Sequence, residues 1–490
     1  MVDLGRRTVR GGAVTIGTQV LKFLVNTVGT IVLARLLTPE DYGLVGMVAV
    51  VTGFILLFKD LGLSAATVQK SEVSEAQIST LFWVNVALSV AVMLVTATIA
   101  PLVAWFYGQP RLLGITLGLS VGFLFGGLTV QHEALIRRQM RFSFLAAAEI
   151  LSAVVALTGA IILAWNNAGY WALVGSQLIQ GFLYATLIWL FCRWRPGRPV
   201  RYSGVRSMIA FGRNVTGFGI LNYFARNLDN MLIGRFWGSQ QLGLYARAYQ
   251  LLLLPIDQIN GPITAVAVPA LSRLVNEPER YRGAYLRLLD KITMLTMPLM
   301  AFMIVTSDWI VALLLGPKWA GVGRIFSLLG ISGLVQPICN TTGWLFISQD
   351  RTRHLFQWGV VGSTIIILSI LAGLPWGARG VAACYSVTFV VLVTPLLFWF
   401  VGRQGPVKAM DIYRTVAPSV CAVCAVLLAL TAFRVYSPFS KPLVNLLASF
   451  LTAAMTSVIV LSIFPASRKS LFDVRGMTAL MKKPDEAAVL

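Results

Sequence analysis

The stretch LARLLTPEDYGLV, from Leu33 to Val45, has a counterpart 200 residues further along the chain in IGRFWGSQQLGLY, from Ile233 to Tyr245. The two copies share three identical positions, Arg35 with Arg235, Gly43 with Gly243 and Leu44 with Leu244. Identity around them is low, but the hydropathy on either side of both copies stays in phase. Such a repeat indicates two related halves in the same orientation, with a shared site between them near the bilayer midplane.

Each copy of the repeat joins two apolar runs, and the composition extends that pattern to the whole chain. The 490 residues are 57% hydrophobic and only 12% charged, with a mean hydropathy of +0.77. These values are typical of a polytopic membrane protein and exclude a soluble multidomain enzyme. Because about 20 apolar residues cross the hydrocarbon core, the sequence predicts an all-α fold with about 14 transmembrane helices.

The repeat and the apolar runs together predict two six-helix lobes followed by two extra helices. The predicted boundaries are 1–200 for the N-terminal lobe, 201–405 for the C-terminal lobe, 406–466 for the two additional transmembrane helices and 467–490 for a cytoplasmic basic tail. The first apolar run has no small-residue cleavage site before or after it, so we expect a retained first span.

Basic residues give the chain a formal net charge of +21, and their positions decide what this charge means. They fall mainly in alternate short connections, for example at Arg6, Arg7 and Arg10 before the first apolar run and at Arg137 and Arg138 after the fourth. By the positive-inside rule that side is cytoplasmic, and both termini lie there. Basic residues at helix ends anchor the membrane interface, so nucleic acid is not a predicted partner.

The motifs of several enzyme classes are missing from the sequence. There is no GxxxxGK[ST] pattern for ATP hydrolysis, and the two histidines, His132 and His354, form no metal-ligand cluster. All five cysteines lie in or beside apolar runs, which is typical of core side chains. No nucleophile, base and orienting acid can be assembled from spacing alone, so we predict a non-enzyme without metal or cofactor.

The first apolar run carries a polar stripe that includes Lys22 and Asn26, which are four residues apart and therefore lie on one helix face. Lys22 is about ten residues from the start of this helix, or roughly 15 Å along its axis. A cation at the centre of a span costs at least ~2.5–3.5 kcal/mol, so such a residue usually faces a cavity or a partner. No acid lies within one turn of Lys22 on its own helix, which favours the cavity.

The corresponding helix of the second half, around NYFARNLDNMLIGRF, carries a matching stripe of Asn222, Arg226 and Asn230. A cavity-facing cation is one interpretation of Arg226. The alternative is a structural ion pair with Asp229, which the i,i+3 spacing permits.

Two further carboxylates, Glu149 and Asp257, also interrupt apolar runs. Each can titrate in an ion-coupling step, and a buried hydrogen bond is the equal alternative. Together with Asp229 they are the candidate coupling residues.

Four stretches of the chain resemble the Wzx-type polysaccharide exporters, in the branch that includes the colanic-acid exporter. These exporters belong to the multidrug/oligosaccharidyl-lipid/polysaccharide (MOP) superfamily. The stretches are LARLLTPEDYGLVGMVAVV, DLGLSAATVQ, QHEALIRRQMRF and NLDNMLIGRFWGSQQLGLYARAYQLLLLP, and the resemblance covers about residues 8–400.

The resemblance implies two six-helix lobes around a cleft that opens alternately to each side of the bacterial inner membrane. The implied activity is translocation of an undecaprenyl-diphosphate-linked oligosaccharide, an exopolysaccharide or O-antigen repeat unit. The implied partners are this lipid-linked oligosaccharide, membrane lipids, and a polysaccharide polymerase with its chain-length machinery.

The implied substrate suggests roles for the polar stripes. Arginine and lysine bind phosphate by charge-assisted hydrogen bonds and as a point charge. The residues expected to attract the anionic head group are Lys22, Arg226 and Arg35 or Arg235. The residues expected to contact the sugars are Asn26, Asn222 and Asn230.

Two other function classes compete with this interpretation. A multidrug or cation antiporter of the same superfamily would line its cleft with carboxylates, whereas here Lys22 stands at the centre of the first helix. A membrane enzyme such as a polymerase or acyltransferase is disfavoured by the short outer connections and by the lack of a plausible catalytic histidine.

Overall fold

The computed structural model describes residues 2–56, 74–200, 206–436, 441–465 and 467–468, with side chains from residue 17 onward except at 206–222, 224 and 225. The described residues form helices joined by short connections, and none of them lies in a β-strand. The predicted all-α class is confirmed.

The helices follow one another along the chain with few long interruptions. Those of the first part are α1 (Val2–Leu36), α2 (Pro39–Leu56), α3 (Glu75–Tyr107), α4 (Arg111–Arg138), α5 (Phe142–Trp165), α6 (Tyr170–Phe191) and α7 (Arg206–Arg273). Those of the second part are α8 (Pro278–Val305), α9 (Ser307–Leu314), α10 (Ala320–Ser348), α11 (Thr352–Gly373), α12 (Gly377–Thr388), α13 (Thr394–Gly402), α14 (Ala409–Tyr436) and α15 (Pro442–Ile463).

Twelve segments of the described chain are long and apolar enough to cross a membrane. A polytopic membrane protein is therefore confirmed, whereas the predicted count of fourteen spans is not. Two of the twelve segments, Arg226–Arg273 with 48 residues and Thr352–Gly402 with 51, exceed the length of one crossing. The first is interrupted at Gly238, whose φ of 79° and ψ of 178° are not helical. The second is interrupted by a 3-10 turn at Leu374–Trp376.

Helix α15 buries mostly small or polar side chains and exposes large apolar ones. In α15 the buried stripe is Asn445, Ser449, Ala453, Ser457 and Leu461. The exposed stripe, at 59% to 64% exposure, is Leu447, Leu451, Met455 and Ile459. Lipid tails are as apolar as leucine, so helices in a bilayer associate through small residues that allow close approach. This arrangement agrees with the membrane assignment.

By its internal contacts the chain divides into two compact units, Met1–Gly243 and Leu244–Leu490. In the first unit α3 packs on α4, α5 packs on α6, and α1 packs on α5. In the second unit α8 packs on α10 and α14, and α14 packs on α15. The predicted lobe, extra-helix and tail boundaries stay a prediction.

The ends of α3 show how local sequence sets helix bounds. The Ser74 hydroxyl accepts a hydrogen bond from the Gln77 N–H at 3.2 Å, and the Gln77 side chain accepts one from the Ser74 N–H at 3.2 Å. This capping box satisfies two amide groups that a helix start otherwise leaves unpaired. At the other end, Gly108 adopts a left-handed φ of 64° and its N–H bonds back to Ala104 and Trp105. The helix stops there because glycine alone takes this conformation without strain.

An ion pair joins α8 to α14 within the second unit. Arg282 of α8 donates two hydrogen bonds to Asp411 of α14, from Nε at 2.9 Å and from Nη2 at 2.5 Å. The Lys408 N–H also donates to the same carboxylate at 2.9 Å. With only 9% of its side chain exposed, Asp411 is a buried, fully bonded anchor.

Candidate functional site

An ion pair joins Lys22 of α1 to Glu149 of α5, with Nζ and Oε2 3.2 Å apart. The two residues are 127 positions apart in the chain. Both side chains remain partly exposed, 40% for Lys22 and 32% for Glu149. The structure thus gives Lys22 an acidic partner from a second helix, while leaving part of its surface accessible.

The packing of α1 on α5 sets the register of this pair. A side chain at Gly29 would lie 2.9 Å from Leu157 Cδ1, so glycine allows the two helices to approach closely. Further along, Leu33 joins Ala160 and Ala164 in one buried cluster. The residue numbers at these successive contacts increase together along both helices, so α1 and α5 run in the same direction. Parallel packing brings Lys22 and Glu149 to the same level.

A second carboxylate, Glu133 of α4, shares a neighbour with Glu149. The Tyr184 side chain of α6 lies within electrostatic range of both carboxylates. Glu133 also pairs with Arg137 one turn away, at 3.8 Å, and retains 26% exposure. Sequence reasoning missed Tyr184 and Glu133. The i,i+4 spacing of Glu133 and Arg137 was the only available signal, and it predicts a helix surface pair rather than a site.

The two other predicted residues of α1 differ in their relation to Lys22. Asn26 is one turn further along and its side chain is exposed. Arg35, also exposed, is thirteen residues beyond Lys22, or about 20 Å along the helix axis. The structure therefore groups Asn26 with Lys22 and separates Arg35 from them.

The predicted stripe on α7 is only partly described. The Asn222 side chain lies outside the described residues. Arg226 is exposed, whereas Asp229 is buried and Asn230 half-buried. The Asp229 carboxylate accepts a hydrogen bond from the Asn230 N–H at 2.8 Å. Both interpretations of Arg226, the cavity-facing cation and the structural ion pair with Asp229, stay predictions.

Arg235 and Asp257 lie further along α7. The Arg235 guanidinium is 5.7 Å from the ring centroid of Phe106, and it is nine residues, about 13 Å, beyond Arg226. Asp257 belongs to the second unit and its side chain is exposed. The substrate-binding role predicted for Arg235 and the coupling role predicted for Asp257 stay predictions.

The matched glycines of the repeat, Gly43 and Gly243, make a reciprocal contact. A side chain at Gly43 of α2 would lie 1.7 Å from the Ser239 carbonyl oxygen of α7, and one at Gly243 would lie 1.9 Å from the Pro39 carbonyl oxygen. Ser239 is the repeat equivalent of Pro39, as Gly243 is of Gly43. Each copy therefore places its glycine against the same backbone position of the other copy, which is the contact expected of two segments related by a pseudo-two-fold axis.

Comparison with curated proteins finds relatives in bacterial polysaccharide synthesis. The chain is 26% identical over 354 residues to the teichuronic acid biosynthesis protein TuaB of Bacillus subtilis (strain 168), covering 72% of each chain. It is 25% identical over 407 residues to the lipopolysaccharide biosynthesis protein WzxC of Escherichia coli (strain K12), covering 82% of each. The predicted resemblance to Wzx-type exporters is confirmed.

A solved structure and a family model complete the comparison. The lipid II flippase MurJ, in an inward closed conformation, superposes with a TM-score of 0.73 at 15% identity over 93% of this chain and 98% of MurJ. This likeness shows that the two proteins share a fold. The family model described as "Polysaccharide biosynthesis protein" matches residues 32–323, well over half of the chain. The chain therefore belongs to this family of polysaccharide biosynthesis proteins.

Proposed function

We propose that this protein moves an undecaprenyl-diphosphate-linked oligosaccharide, such as an exopolysaccharide or O-antigen repeat unit, across the bacterial inner membrane by alternating access. The observation that carries the proposal is Lys22, a cation held inside an apolar span with 40% of its side chain exposed. Lipid is a costly environment for such a charge, at ~2.5–3.5 kcal/mol or more. Water and an anionic ligand are favourable environments for the Lys22 ammonium.

The chemistry of the head group matches that of the cation. A diphosphate offers several anionic oxygens, and a lysine ammonium presents three donors on a flexible stem. An inside-negative potential contributes about 2.3 kcal/mol per charge per 100 mV, so an anion moves outward downhill. Transport of this substrate therefore does not require ion coupling on grounds of charge alone.

The positions of the polar residues suggest an order of contact. Lys22 and Asn26 would meet the head group and the first sugar together, because they are adjacent on α1. Arg226, with Asn222 and Asn230, would act from α7. Arg35 is about 14 Å beyond Asn26 along α1, and Arg235 is about 8 Å beyond Asn230 along α7, so they would bind a later position of the substrate.

The remaining assignments follow from the same proposal. The protein would lie in the inner membrane with both termini in the cytoplasm, as the positive-inside rule predicts. It would deliver substrate to a polysaccharide polymerase and its chain-length machinery, and would transport without enzymatic chemistry. Asp229, Asp257 and Glu149 are proposed as coupling residues should transport prove to be ion-linked.

The second candidate function is a multidrug or cation antiporter of the same superfamily. Glu149 is the observation in its favour, since a partly exposed carboxylate inside a span can attract a cation. Against it, that carboxylate is already neutralised by Lys22 at 3.2 Å.

Reconstitution in vesicles tests the proposal. Purified protein is placed in vesicles that contain a short undecaprenyl-diphosphate-linked oligosaccharide, and glycan appearing on the opposite leaflet is measured by capture with a lectin. We expect protein-dependent transfer that falls about tenfold or more in Lys22→Ala and Arg226→Ala, because each loses a charge-assisted contact.

The control is Lys441→Ala, which removes one exposed positive charge at the start of α15 and should transfer at the wild-type rate. A cationic drug is followed in the same vesicles. Drug efflux without glycan transfer would favour the antiporter, and wild-type transfer by both site variants would remove Lys22 and Arg226 from the site.

A further inference from the structure

The ion pair between α1 and α5 and the ion pair between α8 and α14 differ in construction. Arg282 and Asp411 are joined by two parallel hydrogen bonds, and the carboxylate is only 9% exposed. Lys22 and Glu149 share one contact of 3.2 Å, with 40% and 32% of the side chains exposed. The usual length of a hydrogen bond between an ammonium and a carboxylate is about 2.7–2.9 Å. The pair at Lys22 is therefore the looser and the more accessible of the two.

We propose that Glu149 is the resident counter-ion of Lys22, and that the substrate diphosphate displaces it when it binds. This inference rests on the proposed function, because it names the event by which the Lys22 site is loaded. In the empty protein, Glu149 neutralises a cation that the span would otherwise hold uncompensated. On loading, the Lys22 ammonium moves its hydrogen bonds to phosphate oxygens.

The surroundings of Glu149 set the free-energy cost of this exchange. The charged and titratable groups next to it are Lys22 from α1 and Tyr184 from α6, and Tyr184 in turn lies within electrostatic range of Glu133 and Arg137 from α4. Before exchange these side chains hold two carboxylates and two cations. After exchange the Glu149 carboxylate has lost Lys22, and Arg137, the other cation of this described group, already pairs with Glu133. Release of Glu149 is therefore unfavourable and lowers the affinity for the substrate.

The exchange explains why a transporter would keep such a carboxylate. A lysine without a counter-ion would bind the diphosphate tightly and release it slowly. With Glu149 next to Lys22, the carboxylate competes for the ammonium and helps the substrate to leave. Glu149 thus acts as a positioning and release residue, and it does not itself touch the substrate.

Binding measurements on charge-neutral variants test the inference. Purified protein in nanodiscs is titrated with undecaprenyl diphosphate, and the dissociation constant is compared between wild type and Glu149→Gln. We expect Glu149→Gln to bind about fivefold more tightly, equivalent to about 1 kcal/mol, and to transport no faster at saturating substrate. The loss caused by Lys22→Gln should be larger in the Glu149→Gln background than in wild type, because the two residues are directly coupled.

Glu133→Gln is the matched control, since it removes the same charge from the neighbouring helix without removing the partner of Lys22. Its affinity should change by less than about twofold, the size expected when only a more distant, partly screened charge is removed. An equal gain in Glu133→Gln and Glu149→Gln would reduce the effect to general electrostatics and overturn the inference. Unchanged or weaker binding in Glu149→Gln would overturn it as well.

A second variant covers the case in which Glu149→Gln does not fold. Glu149→Asp keeps the charge but draws the carboxylate back by one methylene, and its affinity should lie between those of wild type and Glu149→Gln. Affinity no higher than wild type in the aspartate variant would overturn the inference. Failure of the proposed function looks different: the wild type itself would neither bind undecaprenyl diphosphate nor transfer the glycan.

Discussion

The close contact between α2 and α7 makes Gly43 the position at which the smallest substitution should have the largest effect. In Gly43→Ala the new Cβ would lie 1.7 Å from the Ser239 carbonyl oxygen, 2.4 Å from its carbon and 2.8 Å from Cα. All three are backbone atoms, which cannot rotate away as a flexible side chain can.

The distance gives the size of the effect. Close C–H···O contacts between helices have carbon–oxygen distances of about 3.3–3.6 Å, so the two segments must move apart by about 1.6 Å or more. Overpacking of a well-packed contact typically costs about 1–3 kcal/mol. With backbone on both sides of the contact, we expect Gly43→Ala to lower the free energy of unfolding by about 3 kcal/mol. Gly243→Ala should behave alike, since its Cβ would lie 1.9 Å from the Pro39 carbonyl oxygen.

The assay is unfolding in mixed micelles with increasing sodium dodecyl sulfate, and Gly46→Ala is the matched control. Gly46 is about one turn further along α2, and a Cβ there would lie 3.6 Å from Leu242 Cδ2, an ordinary contact. Alanine also favours the helix over glycine by up to about 1 kcal/mol, so Gly46→Ala should be unchanged or slightly more stable. Equal stabilities of Gly43→Ala and Gly46→Ala would refute the reasoning.

Three further expectations concern other parts of the chain. Asp411→Ala removes the buried partner of Arg282 and should lower the midpoint of thermal unfolding in detergent by a few °C; Arg414→Ala, one turn away on the same helix, should change it less. Ser74→Ala loses the capping box of α3 and should lower the free energy of unfolding in the same micelle titration by about 1 kcal/mol. A decrease no larger than the scatter between replicates would show that the capping box does not stabilise the protein. Burial raises the pKa of the Cys192 thiol, which leaves less thiolate at neutral pH, so maleimide labelling of a variant with Cys192 as its sole cysteine should be slow at pH 7 and accelerate as the pH rises towards the raised pKa.

The sequence alone predicted the class of the fold because the relevant signals are local. The length of an apolar run and the periodicity of its polar residues depend only on neighbours within a few turns. They identified a polytopic helical protein, and they singled out Lys22 as a charge inside a span. The same local signals could not decide the number of spans, since α7 is longer than one crossing and is interrupted by the non-helical backbone of Gly238.

Only the tertiary structure decided which residues Lys22, Gly43 and Gly243 contact. Glu149 was recognised as an unusual carboxylate, but its pairing with Lys22 across 127 residues depends on the parallel packing of α1 on α5. The match of Gly43 with Gly243 was visible as a repeat, but their contact with Ser239 and Pro39 was not. Charge and helix periodicity are properties of a short segment, whereas an ion pair or a close backbone approach exists only once packing has fixed which helices meet and in what register.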